Sequence, residues 1–174
     1  MENIGENLVA DKAANALAEA LKIAHEAQSQ RSKLDADLAQ EKKKQIHSIK
    51  YLNRFANKVK NHRQELRSLL MDLKKKGKRI VALSAPAKGN TLLNYCKLDT
   101  DLLDYVTEKA ELKIGKYTPG THIPVFPDNY LLKNKPDYAL ILAWNFAKEI
   151  MENNQEFKKR GGKFIIPIPK PKIV

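Results

Sequence analysis

Between Gly5 and Gly77 the chain contains neither glycine nor proline, and Ala, Leu, Lys, Glu and Gln dominate the stretch. These residues lose little conformational freedom in a helix, and nothing in the run punctuates one, so the first half of the chain must be helical. Leu17, Leu21 and Ala24 recur at helical spacing, and the apolar pattern then lapses through Gln28–Lys33. It resumes with Ile46, Ile49, Leu52, Phe55, Val59, Leu66, Leu69, Leu70 and Leu73. Ser32, followed by Asp35, offers a fresh helix start. The expectation is two helices, over 8–29 and 33–76, or one fused helix. Such a stripe needs covering, by the rest of the chain or by another chain, and its heptads are too irregular for a coiled coil.

From Lys78 the pattern changes. Arg79–Ser84 is a short apolar run of strand formers, Ala85–Lys88 a turn, and Gly89–Cys96 a helix. Leu102–Thr107 reads as a strand, and Ile123–Phe126 as another after a Gly/Pro/Thr loop. A short helix at Pro127–Lys133 precedes Tyr138–Ala143, the clearest strand in the chain, and Asn145–Arg160, the clearest short helix. Gly161 and Gly162 end that helix, and Lys163–Ile168 is a last strand before a proline-broken tail. Strands alternating with helices through short loops imply an α/β fold, a Rossmann-like and mostly parallel sheet of about five strands. The organisation is then a helical extension over 1–37, a basic amphipathic helix over 38–77 and a Rossmann-like α/β domain over 78–174.

Composition narrows the function classes. A single cysteine, Cys96, excludes an intrachain disulfide framework, and with four histidines in 174 residues it leaves no recognisable zinc site. Cys96 falls on the apolar face of a helix and reads as core. No run approaches the ~18 apolar residues of a membrane span, and the acidic Met1–Gly5 start does not resemble a signal peptide. The expectation is a soluble cytoplasmic protein with no membrane partner. The formal net charge of +12 is uneven: residues 1–37 carry −3, residues 38–78 carry +10, and the remainder +5. The basic middle segment is either a solvated helix face or a polyanion-binding surface; Tyr51 and Phe55 are the only aromatic residues there for stacking on bases.

In parallel α/β sheets ligands sit outside the carboxyl ends of the strands, where three segments compete: Ser84–Thr91, Lys116–Ile123 and Trp144–Phe146. The first joins a strand to a helix N-terminus, a phosphate-binding geometry to which Lys88 would add a charge, although the segment is neither GxGxxG nor a Walker A loop. A plain structural turn explains it equally well. The second, Gly115–His122, is dense in side-chain donors, yet Pro119-Gly120 also suits an ordinary type II turn, and His122 suits a structural hydrogen bond. Trp144 and Asn145 end the most apolar strand; Asn145 would serve as a helix N-cap, or the pair could hold a planar ring. Glu108, near the end of the second strand, stands where Rossmann folds grip a ribose hydroxyl.

Read together, Ala85–Cys96 (APAKGNTLLNYC), Tyr117–Val125 (YTPGTHIPV) and Leu140–Phe146 (LILAWNF) resemble the C-terminal domain of the SAM-dependent sugar C-methyltransferases. These enzymes methylate a carbon of nucleotide-activated deoxy-keto sugars. The resemblance covers residues 40–174, including the helix through Tyr51-Leu52-Asn53-Arg54-Phe55; residues 1–37 show none. It implies a domain that works beside a zinc-binding N-terminal domain and a SAM-binding Rossmann domain, with the nucleotide sugar between the last two domains. It implies that Lys88 and Asn90 of the Ala85–Thr91 loop contact the diphosphate, with Tyr117–His122 and Trp144-Asn145 lining the same crevice. The substrate-binding candidates are thus Ser84, Lys88, Gly89, Asn90, Thr91, Tyr117, Thr118, His122, Trp144 and Asn145. No catalytic residue is assigned, because the family's base belongs to the SAM-binding domain.

The zinc cysteines are missing, and there is no room for a SAM domain before residue 40. The chain is therefore expected to bind a nucleotide diphosphate sugar in deoxysugar biosynthesis, to bind no cofactor itself, and to act as a methyltransferase only with a SAM-binding domain or partner chain. The alternatives are a non-catalytic helical interaction protein, self-associating through its N-terminal helices beside a vestigial crevice, or polyanion binding by the basic helix.

Overall fold

The computed structural model describes the backbone of residues 3–174, and the side chains of Lys12 and of residues 15–174. The chain divides into two compact units, 1–56 and 57–174. The first holds helix α1 (Asn3–Lys44) and the start of α2 (Ile49–Lys75). Helix α1 continues through Gln28–Lys33, as the fused reading has it and against the two-helix reading, although it does not extend unbroken to residue 76. Losing the apolar stripe does not stop a helix made of good helix formers. The break falls instead at Gln45, whose φ of 52° leaves the helical region, and Ser48 starts α2 by accepting the Tyr51 N–H on Oγ at 3.1 Å. Ser32 therefore caps nothing.

The second unit is a six-stranded sheet in the order β3-β2-β1-β4-β5-β6. Its strands are β1 (Ile80–Leu83), β2 (Val106–Glu108), β3 (Val125–Pro127), β4 (Tyr138–Ile141), β5 (Lys163–Ile166) and β6 (Lys172–Ile173). The first five are parallel, as expected of an α/β chain. The sixth is an antiparallel edge strand in the proline-broken tail, where no strand was expected. Two mutual bonds between Phe164 and Val174, at 3.0 and 2.9 Å, fasten it. Two residues are too few to leave a period-2 signature.

Alternation in the central strands sorts the core into two layers. Ile80 and Ala82 of β1, with Leu140 and Leu142, face Leu66, Leu70 and Leu73 of α2 and Leu92, Leu93 and Cys96 of α3 (Ala87–Cys96). Val81, Leu83, Ala139 and Ile141 face the other way, against Leu131 of α4 (Tyr130–Asn134), Ala147 of α5 (Ala147–Asn153) and Phe157 of α6 (Gln155–Lys159). The single helix expected over Asn145–Arg160 is thus a 3-10 turn, Trp144–Phe146, followed by two short helices. They divide at Asn154, whose Nδ2 donates to the Ile150 carbonyl at 2.8 Å. Asn145 is not the N-cap of α5: Phe146 holds that position, without a side-chain bond. Among the described residues no helix is long and apolar enough to cross a membrane.

Candidate functional site

β1 ends under β2, where the Ser84 N–H donates to the Thr107 carbonyl at 2.8 Å while Ser84 turns into the left-handed region (φ 67°). That turn aims the chain at α3. It is held there by Glu108, whose Oε2 accepts the Ala85 N–H at 2.8 Å and whose Oε1 accepts the N–H groups of Lys109 and Ala110 at 2.9 and 3.2 Å. Lys113 closes the clamp, with Nζ 3.2 Å from Glu108 Oε2 and 3.0 Å from the Ala85 carbonyl. Burial alone would push the Glu108 carboxyl up. The three backbone donors and the Lys113 ammonium outweigh that and hold it below the usual carboxylate range. Its acceptors are committed to the protein itself, so the ribose-gripping role that its position suggests has no free oxygen to use.

Helix α3 starts with Pro86 at the N-cap, which offers no side-chain bond to the first-turn N–H groups. Gly89 lets this turn seat on the end of β4, since a Cβ there would stand 2.8 Å from the Leu142 Cβ. Lys88 points away along the same end of the sheet: its Nζ lies 4.8 Å from the Trp144 ring centroid and 5.9 Å from that of Phe146. Thr91 is exposed, with Oγ1 bonded back to the Ala87 carbonyl at 3.3 Å. Asn90 Oδ1 is buried and has no hydrogen-bond partner.

Opposite α3 stands a small hairpin. Gly115 N–H donates to the Val125 carbonyl, Val125 N–H to the Lys116 carbonyl, and Thr118 N–H to the Ile123 carbonyl, each at 2.9 Å. Buried Thr118 is its latch, with Oγ1 2.7 Å from Thr121 Oγ1 and accepting the Ile123 N–H at 2.9 Å. His122 is exposed and left-handed (φ 52°), and its N–H donates to the Thr118 carbonyl. Asn94, unremarked in the sequence, staples the hairpin to α3: its Nδ2 donates to the Asn90 carbonyl at 2.9 Å and to the Pro119 carbonyl at 3.0 Å. Gly120 (φ 79°) is required beside it, because a Cβ there would meet Asn94 Oδ1 at 2.2 Å.

Between helix and hairpin lies a cleft of about 570 Å³, a size that suits a small organic ligand. Ala85, Pro86, Ala87 and Asn90 line it from the α3 side, Leu112, Lys113, Lys116, Tyr117, Thr118 and Pro119 from the other, with Leu93, Val125 and Leu142 completing it. Of the ten residues expected from the sequence, it gathers Asn90, Tyr117 and Thr118. Ser84 lines a second, smaller cleft of about 290 Å³ with Glu108, Asp128 and Phe146. Lys88, Gly89, Thr91, His122, Trp144 and Asn145 line neither. Lys116 stands in the loop that the sequence marked as a candidate, though it was not among the ten residues; Lys113 was missed, since a lysine before that loop carries no signal by spacing. No group of three or more His, Cys, Asp or Glu among the described residues is placed to hold a metal.

The three sequence motifs thus converge at the carboxyl end of one parallel sheet. Residues 17–169 match the family model of the C-methyltransferase C-terminal domain. The chain belongs to this family. Over 137 residues it is 36% identical to the C-methyltransferase NovU of Streptomyces niveus, a match covering 79% of this chain and 33% of that protein. The family match begins at residue 17, within α1, and so reaches well into the helical extension in which no resemblance was read. The C-methyltransferase C-terminal domain here comprises both the α/β unit and much of its leading helix.

Proposed function

We propose that this chain is the nucleotide-sugar-binding part of a SAM-dependent sugar C-methyltransferase of deoxysugar biosynthesis, acting in the cytoplasm. The observation that carries the reading is the cleft itself. It is mostly apolar, opens beside an uncapped helix N-terminus, and combines an exposed aromatic ring (Tyr117), two lysines and one buried, unpartnered acceptor (Asn90 Oδ1). An apolar lining suits a base or a deoxysugar, and the helix end and the ammonium groups suit a diphosphate.

On this reading the crevice holds the nucleotide sugar and SAM is bound elsewhere. The one glycine of the β1–α3 turn, Gly89, has its Cβ side closed by Leu142, and Glu108, at the ribose position, is consumed by the clamp. The methyl donor and the base that deprotonates the sugar therefore belong to a SAM-binding domain or partner chain, and this part contributes substrate binding and orientation. The match to only 33% of the relative's length is consistent with that division of labour.

Titration of thymidine diphosphate into the isotope-labelled chain, followed by amide chemical shifts, tests the reading. Shifts concentrated at Ala85–Asn90 and Lys116–Thr118 are expected. Shifts confined to the smaller cleft, or none at millimolar nucleotide, would overturn it.

A second reading concerns α1, where every described side chain from Asn15 to Gln40 is exposed, including Leu17, Leu21, Leu34 and Leu38. Self-association through this helix would cover them. Sedimentation of the full chain at increasing concentration decides it: a strict monomer rules the second reading out.

A further inference from the structure

Lys88, Lys109, Lys113 and Lys116 follow the carboxyl ends of β1 and β2, and the structure distinguishes them. Lys88 lies over the Trp144 and Phe146 rings. Lys109 faces Asp128 at 3.9 Å. Lys113 is bonded to Glu108 and to the Ala85 carbonyl. Lys116 lines the large cleft, and among the described residues its side chain has no ion pair and no hydrogen bond.

Its backbone, by contrast, is fixed. The Lys116 N–H donates to the Lys113 carbonyl at 3.2 Å and its carbonyl accepts the Val125 N–H at 2.9 Å, so the residue is set at the root of a hairpin that Asn94 ties to α3. A cation with a rigid base and an uncommitted head, across a cleft from an uncapped helix N-terminus, is pre-organised for an anionic ligand, since binding breaks no existing pair. Recruiting Lys113 would cost its bond to a largely buried carboxylate, and recruiting Lys88 would cost its contact with two aromatic rings.

Resting on the nucleotide-sugar reading, we infer that Lys116, and not Lys88, supplies the charge that holds the ligand's phosphates, while Lys88 secures the Trp144–Phe146 turn. Tyr117, next in sequence and 64% exposed on the same cleft, is then placed to carry the base or sugar that those phosphates bring with them.

The test compares thymidine diphosphate with thymidine as ligands of the full chain, by calorimetry, for the wild type, Lys116→Gln and Lys88→Gln. All three should first show the same far-UV circular dichroism. The wild type should prefer the diphosphate, Lys116→Gln should lose about tenfold or more of its affinity for the diphosphate with little change toward thymidine, and Lys88→Gln should keep the preference. An unchanged preference in Lys116→Gln, or its loss in Lys88→Gln, overturns the inference while leaving the nucleotide-sugar reading intact. Binding of neither ligand by the wild type overturns both.

Discussion

Glu108 shapes this site without lining the larger cleft. By accepting three backbone N–H groups and the Lys113 ammonium it fixes the β1–α3 turn and the segment after β2 in one arrangement. Glu108→Gln keeps the size but loses the charge and turns a donating amide nitrogen toward N–H donors that a carboxylate oxygen accepted, and should cost about 1.5–3 kcal/mol at pH 7 by chemical denaturation. Because its carboxyl is held below the usual range when folded, its contribution is present above the unfolded carboxylate pKa of about 4.3 and disappears as pH falls through the folded value. The stability gap between wild type and Glu108→Gln should therefore narrow steadily as the pH falls below the unfolded carboxylate range. A gap that does not narrow with acidification would mean that the charge is not what matters. Gly89 makes a separate demand, for room: with a Cβ 2.8 Å from that of Leu142, Gly89→Ala should destabilise by about 1–3 kcal/mol, read as a lowered denaturant midpoint.

At the scale of elements, what the sequence disclosed depended on length and period. The central strands β1, β4 and β5 and helix α3 were legible because buried strands are continuous apolar runs bounded by turns. Strands β2 and β3 start later than the expected Leu102–Thr107 and Ile123–Phe126, since Leu102 and Leu103 are buried in the turn before β2 and Ile123 in a loop. The helical break at Gln45 was not, because a single left-handed residue among good helix formers leaves no compositional trace. The same holds in the site. The first two motif stretches face one cleft, whereas Trp144 and Asn145 of the third, expected in the same crevice, line neither cleft. Lys113 and Asn94 act through contacts across loops, where sequence spacing carries no information. Helix α2 supplies Leu66, Leu70 and Leu73 to the core under the sheet, so from Asn57 onward it is part of the α/β unit. Leu70→Ala, at a fully buried position, should cost about 2–5 kcal/mol, whereas Leu21→Ala on exposed α1 should leave the denaturation midpoint unchanged. Equal effects from the two would contradict this assignment of the core.

At the scale of the whole molecule, the proposed nucleotide-sugar binding would need a SAM-binding part to complete the chemistry. The sheet carries the cleft at its carboxyl end, the clamp and the hairpin shape it, and the family relationship connects it to C-methyl transfer. The most direct measurement is calorimetric titration of the chain with a thymidine diphosphate sugar, thymidine diphosphate and SAM. Heat and saturation are expected with both nucleotides and none with SAM. Saturable binding of SAM, with no binding of either nucleotide, would contradict the proposed nucleotide-sugar binding.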